Sequence, residues 1–307
     1  MNLLVGSTGF VGGHVVEYLF QQGEISKGAF RRGSHLKTMD LNGVQAVEVD
    51  LADHHTLHEA VEGCDTVYSM ASPTPYGDTD FVNANTAGIL NLLEAAQEQK
   101  VKNFIHLSCL EVYGFATREI EDSTIPSPAN DYQKSKLEAE RLLLEFAKRN
   151  PETRIVILRP AKAIGSRDTT FVAPLLRMIK EGKVSVPRTG IMSFTHPRDI
   201  AMAMYKSATS TTPSGRVYLI KSFDTTPGLL AKGIADATGS HAEVQTEGLL
   251  RKADLPNYTR EQLRAQLSIR QQASWSEIGF APAFGVAETS EEIANWYRKD
   301  PWAAAGS

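Results

Sequence analysis

The residues with chemistry to offer begin with Tyr132 and Lys136. Four residues apart on a helix, they share one face and lie about 5–6 Å apart at Cβ. A free tyrosine, with a pKa of about 10, is a poor base at neutral pH. A neighbouring ammonium stabilises the phenolate and draws that value towards the working range. Tyr132 could then give or take the proton of a carbonyl/alcohol pair. Such a pair is common by chance, so it counts only if other elements bring a reactant to it.

A glycine-rich turn offers the reactant. Gly6-Ser7-Thr8-Gly9-Phe10-Val11-Gly12 follows an apolar run and opens a helical stretch. In this setting the first glycine permits a tight turn, the second lets backbone approach a pyrophosphate, and the third allows close helix–strand packing. The phosphates then lie at the positive end of a helix. A plain strand–helix turn is the blander reading, and the context argues against it. The second apolar run ends Ala29-Phe30-Arg31-Arg32, with no acid between Lys27 and Lys37. An acid there would suit the ribose 2′-hydroxyl of NAD, whereas Arg31 and Arg32 suit the 2′-phosphate of NADP. A solvated basic loop is the alternative. Asp50 ends the third run, where it meets the adenine end of a cofactor or caps a helix. Lys136 is placed to hold the cofactor ribose as well as to tune Tyr132.

These groups need a scaffold, and the chain can build one. It has 307 residues and a mass of 33.6 kDa, 42% hydrophobic and 22% charged, which permits a sizeable core. The net charge of −4 lacks the basic surplus of a nucleic-acid binder. No window is apolar enough for a membrane span, and no signal peptide opens the chain. Cys64 and Cys109 are the only cysteines, too few for a disulfide framework or a four-cysteine zinc site. A cytoplasmic protein with a small-molecule substrate, and no nucleic-acid or membrane partner, is the expectation.

Apolar runs at Asn2–Val5, Gly28–Phe30, Gln45–Val49, Thr66–Met70, Phe104–Leu107 and Arg154–Leu158 alternate with helical stretches near Phe10–Gln22, Thr56–Glu62, Phe81–Gln99 and Tyr132–Arg149. Gly23 and Gly63 sit where helices end. This rhythm predicts an α/β fold, a doubly wound parallel Rossmann sheet, with a smaller and mostly helical C-terminal substrate lobe. We expect residues 1–165 to form the dinucleotide-binding domain, with 193–222 returning to it through Ser193–Ala208 and Arg216–Ile220. Residues 166–192 and 223–307 then form the substrate lobe over the carboxyl ends of the strands, with a helix near Phe171–Lys180 and a strand at Ala242–Thr246.

With these motifs together, the sequence resembles an extended short-chain dehydrogenase/reductase of the NAD-dependent epimerase/dehydratase superfamily. The likeness spans nearly the whole chain. Its carriers are Gly6/Gly9/Gly12, Asp50-Leu51, Asn83-x-Asn85 with Gly88 and Asn91, Ser108 to Val112-Tyr113-Gly114, Tyr132-x-x-x-Lys136, Arg159-Pro160, and Phe194-x-His196-x-x-Asp199. The resemblance implies cofactor contacts from Gly6, Thr8, Gly9, Phe10, Val11, Gly12, Arg31, Arg32, Asp50, Leu51, Ala71, Ser72, Asn85, Tyr132, Lys136 and Pro160. It also implies a proton relay of a hydroxyl residue with Tyr132 and Lys136. No metal is expected, since the His54/His58 pair has no HExxH-type partner. A homodimer built on the Tyr132–Lys136 helix is implied too.

The chain departs from the pattern at informative places. Cys109 stands where the relay hydroxyl belongs, with Ser108 just before it, and a thiol is a weak donor. Sugar-nucleotide dehydratases of the superfamily carry a hydroxyl residue, Asp and Glu in series here; this chain has Cys109, Leu110 and Glu111. Glu111 is then an auxiliary base or merely polar packing. Lys162 and Met192 replace residues usual in nucleotide-sugar members, and Ala71-Ser72-Pro73-Thr74-Pro75 looks more like reductase or hydroxysteroid-dehydrogenase relatives. Lys162 either meets an anionic substrate or faces solvent. The expected activity is NADP-dependent hydride transfer between nicotinamide and a ketone or secondary alcohol. The alternative is a nucleotide-sugar epimerase or dehydratase with tightly bound NAD, and a third reading is a non-catalytic cofactor sensor. His54, His55 and His58 read as a solvated helix face, His196 as a structural hydrogen-bonder, and Thr259–Gln272 as a lid or a surface helix.

Overall fold

A computed structural model describes residues 1–36, 39, 42–72, 83–116, 119–247, 254–270 and 273–299. Its large sheet runs through β1 (Asn2–Val5), β2 (Ser26–Phe30), β3 (Gln45–Glu48), β4 (Thr66–Ser69), β5 (Asn103–Leu107), β7 (Arg154–Pro160) and β11 (Arg216–Ile220), in the order β11-β7-β5-β4-β1-β2-β3. Every neighbouring pair is parallel. The order reverses beside β1, so a crevice opens at the carboxyl ends of β1 and β4.

The apolar runs are continuous because both faces of the sheet are covered. Along β1, Leu3 and Val5 join one core and Leu4 the opposite one; along β7, Ile155 and Ile157 are divided from Val156 and Leu158 in the same way. Helices α1 (Phe10–Gln21), α2 (His54–Val61), α3 (Gly88–Glu98) and α4 (Asp131–Arg149) supply the cover. The Phe81–Gln99 stretch is not one helix. A π-helical turn at Asn83–Ala87 precedes α3, and residues 81 and 82 lie outside the described residues.

Beyond β7 lie β8 (Lys162–Ala163), α5 (Val172–Lys180), β9 (Lys183–Val186), β10 (Met192–Thr195) and α6 (Pro197–Thr209). Further on come β12 (Phe223–Thr225), α7 (Pro227–Thr238), β13 (Glu243–Thr246), α8 (Asn257–Ala265), β14 (Ser268–Ile269) and α9 (Val286–Lys299). Over 193–222, α6 packs on α1 and β11 joins the large sheet, but β10 belongs to a small sheet with β12 and β8. Strand β13 pairs with β9, and β14 with β6 (Glu119–Ile120). A separate core that includes Phe171, Leu175, Phe194, Leu230 and Ile293 holds the later elements together. Among the described residues no helix is long and apolar enough to cross a membrane.

Candidate active site

The glycine turn follows β1 directly. Gly6 has φ +97°, and a Cβ there would lie 2.6 Å from the Ala71 nitrogen, so the turn is pressed against the end of β4. At Gly12 a Cβ would lie 1.9 Å from the Gly6 carbonyl oxygen, which is why α1 can start so close to the strand. Gly9, the residue before α1, makes no side-chain cap, and no acid stands in the first turn. The free N–H groups of that turn therefore suit a phosphate.

Around this cradle, Arg32 Nε donates to Glu48 Oε1 at 3.1 Å, while Arg31 is exposed with no partner among the described residues. Asp50 accepts from the Ala52 nitrogen, and the cap of α2 is Asp53, not Asp50. The hydroxyl of Asp50's neighbour in space, Thr56, instead donates back to the backbone there. Leu51 packs into the core under Gly88, and its carbonyl accepts from Asn91 at 2.8 Å. Buried Asn85 donates to Ser135 Oγ at 3.0 Å, and Ser135 Oγ donates to the Tyr132 carbonyl, tying the π-helical turn to α4. Ala71 and Ser72 follow β4, while residues 73–75 lie outside the described residues.

Helix α4 is held at its start by a capping box: Gln133 N donates to Asn130 Oδ1, and Gln133 Oε1 accepts from the Asn130 nitrogen. Asp131 at its first turn and Lys148 and Arg149 at its last complement its dipole. Tyr132, one residue into the helix, lines a cavity at the carboxyl ends of β5 and β7. Lys136 is buried, and its Nζ donates to the Leu107 carbonyl at 3.0 Å. Burial lowers its pKa, against the pull of Cys109, Glu140 and Glu111.

Ser108 and Cys109 both line the cavity, with different partners. The Ser108 hydroxyl donates to Glu140, whose carboxylate also receives Arg159 Nε at 3.0 and 3.1 Å. Arg159 reaches Tyr113 as well. Ser108 thus serves a buried ion pair. Cys109 lines the cavity, and burial, with the nearby Glu111 carboxylate, pushes its thiol up to about 12, so it stays protonated. Glu140 had not been read from the sequence; its signal is its place one helical turn after Lys136, on the same face.

Glu111, on the short helix Leu110–Tyr113, is not idle packing. It lines the cavity, and its carboxylate accepts from Tyr258 and Gln262, both on α8. Burial raises its pKa despite these donors and the nearby Lys162. Lys162 is not a solvent-facing strand end: it is half-buried, lines the cavity and donates to Gln262 Oε1 at 3.0 Å. Tyr258 also sets its ring edge-on to Tyr132, centroids 6.0 Å apart. The Thr259–Gln272 stretch therefore lies against the site, as α8 and β14, with residues 271 and 272 outside the described residues. Pro160 and Ala161 at the end of β7, and Phe10, Val11 and Met192, line the same cavity.

The other histidines have structural duties. Buried His196 caps α6 through Nδ1 and stacks on Phe284. His54 and His58 face Glu98, and among the described residues no cluster of three or more His, Cys, Asp or Glu could hold a metal.

The sequence pattern of the NAD dependent epimerase/dehydratase family matches residues 2–220. The chain belongs to this family. Family relatives include the Escherichia coli (strain K12) "Uncharacterized protein YbjS", 27% identical over 96% of this chain and 97% of its own. The sterol demethylase protein B of Methylococcus capsulatus is 25% identical over 77% of this chain and 74% of its own. A crystal structure of UDP-glucose 4-epimerase superposes with a TM-score of 0.83, covering 98% of each chain at 23% identity, and so shares the fold. The family makes the protein an enzyme that uses a nicotinamide cofactor, and the open N-terminus of α1 with its glycine cradle fits that group.

Proposed function

We propose that this protein is an NADP-dependent oxidoreductase that moves a hydride between nicotinamide and a ketone or secondary alcohol of a small molecule. The observation that carries the reading is the wall around Tyr132. Leu107, Leu110, Phe115, Met192 and Leu267 line the cavity, and Leu110 occupies the place where a dehydratase would need its acid. Such a wall suits a carbonyl on an apolar body better than a sugar ringed with hydroxyls.

When bound, the nicotinamide supplies the hydride in reduction or accepts it in oxidation. In reduction Tyr132 gives its phenolic proton to the carbonyl oxygen as that oxygen gains negative charge, and regains a proton from solvent. Lys136, fixed by the Leu107 carbonyl, supports the phenolate with its charge and holds the ribose. The Cys109 thiol, protonated at neutral pH, is a weak donor beside the substrate oxygen. The glycine turn and the first turn of α1 hold the pyrophosphate, and Arg31 receives the 2′-phosphate.

The test is net consumption of NADPH by the purified protein over a panel of ketones and aldehydes, repeated with Tyr132→Phe. We expect turnover that falls by about a hundredfold or more in the variant, in line with loss of a general acid. A fully active Tyr132→Phe protein would sink the assignment. Turnover of nucleotide sugars with no net change in cofactor would favour the epimerase alternative.

A further inference from the structure

The polar end of the cavity holds one cation and one anion that do not bond each other. The Glu140 carboxylate is spent on Arg159 and Ser108. Of the charged groups that line it, Lys162 is the cation and Glu111 the anion, while Lys136 stands outside the lining, bonded to the Leu107 carbonyl. Glu111 does not meet Lys162 directly. Gln262 stands between them, donating to Glu111 through Nε2 and accepting from Lys162 through Oε1. Tyr258 occupies the second oxygen of Glu111.

Each oxygen of Glu111 therefore has a donor already. Lys162 has three N–H groups and, among the described residues, spends one of them, on Gln262. Lys162 is half-buried in a cavity that Leu110, Met192 and Leu267 also line, and both oxygens of the nearby Glu111 carboxylate are taken by other donors. An anion brought by the substrate would accept from the N–H groups that Lys162 has left. The rest of the wall asks for hydrocarbon.

We propose that the substrate is an amphipathic hydroxy or oxo acid: its carboxylate is received by Lys162, its apolar body lies against Leu107, Leu110, Phe115, Met192 and Leu267, and Gln262 positions Lys162. The inference rests on the oxidoreductase reading for what happens to the substrate, but not for how it is held. Lys162 and Gln262 are specificity-determining residues in this account, and Tyr258 keeps Glu111 from competing for the cation.

Binding separates the two claims. Octanoate, which has no group to oxidise, and methyl octanoate are titrated calorimetrically into the full chain with NADPH present. Octanoate should bind about tenfold or more tightly than the ester, the scale of one charge-assisted hydrogen bond. Lys162→Met should erase the difference while leaving ester affinity and NADPH binding unchanged, and Lys162→Arg should keep it. Equal affinities in the wild type, no octanoate binding, or a preference that survives Lys162→Met would overturn the proposal. If the hydride reading alone is wrong, octanoate still binds and no hydroxy acid is oxidised. If this inference alone is wrong, ketones turn over with no preference for acids.

Discussion

Lys136 Nζ lies 3.0 Å from the carbonyl oxygen of Leu107, the last residue of β5. That bond, with the one from Ser108 to Glu140, ties α4 to the strand whose end carries Ser108 and Cys109. The ammonium is thereby held in the interior, where its field acts on neighbours with little screening. Replacing Lys136 by Met should leave the Leu107 carbonyl without its donor, at a cost of about 1–3 kcal/mol. It should also depress turnover more than Cys109→Ala does. Urea midpoints and steady-state rates of the two variants check the order.

Gly12 has no room for a side chain, since its Cβ would stand 1.9 Å from the Gly6 carbonyl oxygen. Gly12→Ala must push α1 away from the turn. We expect a loss of about 3 kcal/mol, the upper range of overpacking, together with loss of cofactor binding. Denaturant unfolding and NADPH titration of the same preparation measure both.

Arg31 and Arg32 are unequal. Arg32 already pairs with Glu48, and Arg31 is uncommitted among the described residues. Arg31→Ala should weaken NADPH binding by about tenfold or more while leaving NADH binding unchanged, because a charge-assisted bond to the 2′-phosphate is lost. Arg32→Ala should do less. Dissociation constants for both cofactors decide it.

Most of the large sheet was legible in the sequence. Its strands other than the exposed edge strand β3 are mostly buried on both faces, so they read as apolar runs, and Gly12 is dictated by a contact with Gly6 close by in the chain. What escaped was set by distance along the chain. Tyr258 and Gln262 reach Glu111 from 147 and 151 residues downstream, and nothing in their own segment announces it. Ser108 reads as a candidate relay hydroxyl, and its partner Glu140, 32 residues on, is not announced by its own segment. Lys162 reads as a substrate contact or a solvent-facing strand-end cation, because its partner Gln262 lies 100 residues on. The π-helical turn before α3 escaped for a different reason: Asn83–Ala87 has no residue pattern that separates it from the first turn of an α-helix.

The Glu140–Arg159 pair, with Ser108 and Tyr113 on its flanks, is buried and closed. Removing one partner strands the other, so Glu140→Gln should cost about 3–5 kcal/mol. A Glu140→Leu/Arg159→Met double variant should recover much of that. Ser108→Ala, which deletes a single donor, should cost less than Glu140→Gln. Urea midpoints of these variants measure all three.

Acid should unfold this protein through its buried histidines and Glu292. Burial, helped by the Arg167 charge, pushes His14 from 6.5 to about 3, and burial also holds His106 well below its ordinary value. Both stay neutral in the fold while the unfolded chain takes up protons, so stability falls as pH drops from 6.5 towards the folded values. For Glu292, burial opposes ionisation, but the His196 imidazole and the Ser166 hydroxyl outweigh it and hold the carboxyl at about 2, below its ordinary 4.5. Its contribution is present above 4.5 and is lost as pH falls towards 2. His14 should account for about 2 kcal/mol between about pH 7 and about pH 5, and His106 acts in the same direction. His14→Asn should therefore lose about that much less across the interval, whatever its starting stability. Chemical unfolding at both pH values reads the difference.

Net redox chemistry with a freely exchanging NADP cofactor can be checked by asking which nicotinamide the protein carries. Freshly purified protein is unfolded, any released nicotinamide is identified by mass, and the stripped protein is titrated with NADPH and NADH. The account predicts little retained cofactor and markedly tighter binding of NADPH. Stoichiometric NAD, retained through purification, would contradict it and point to an enzyme that borrows and returns its hydride within one turnover.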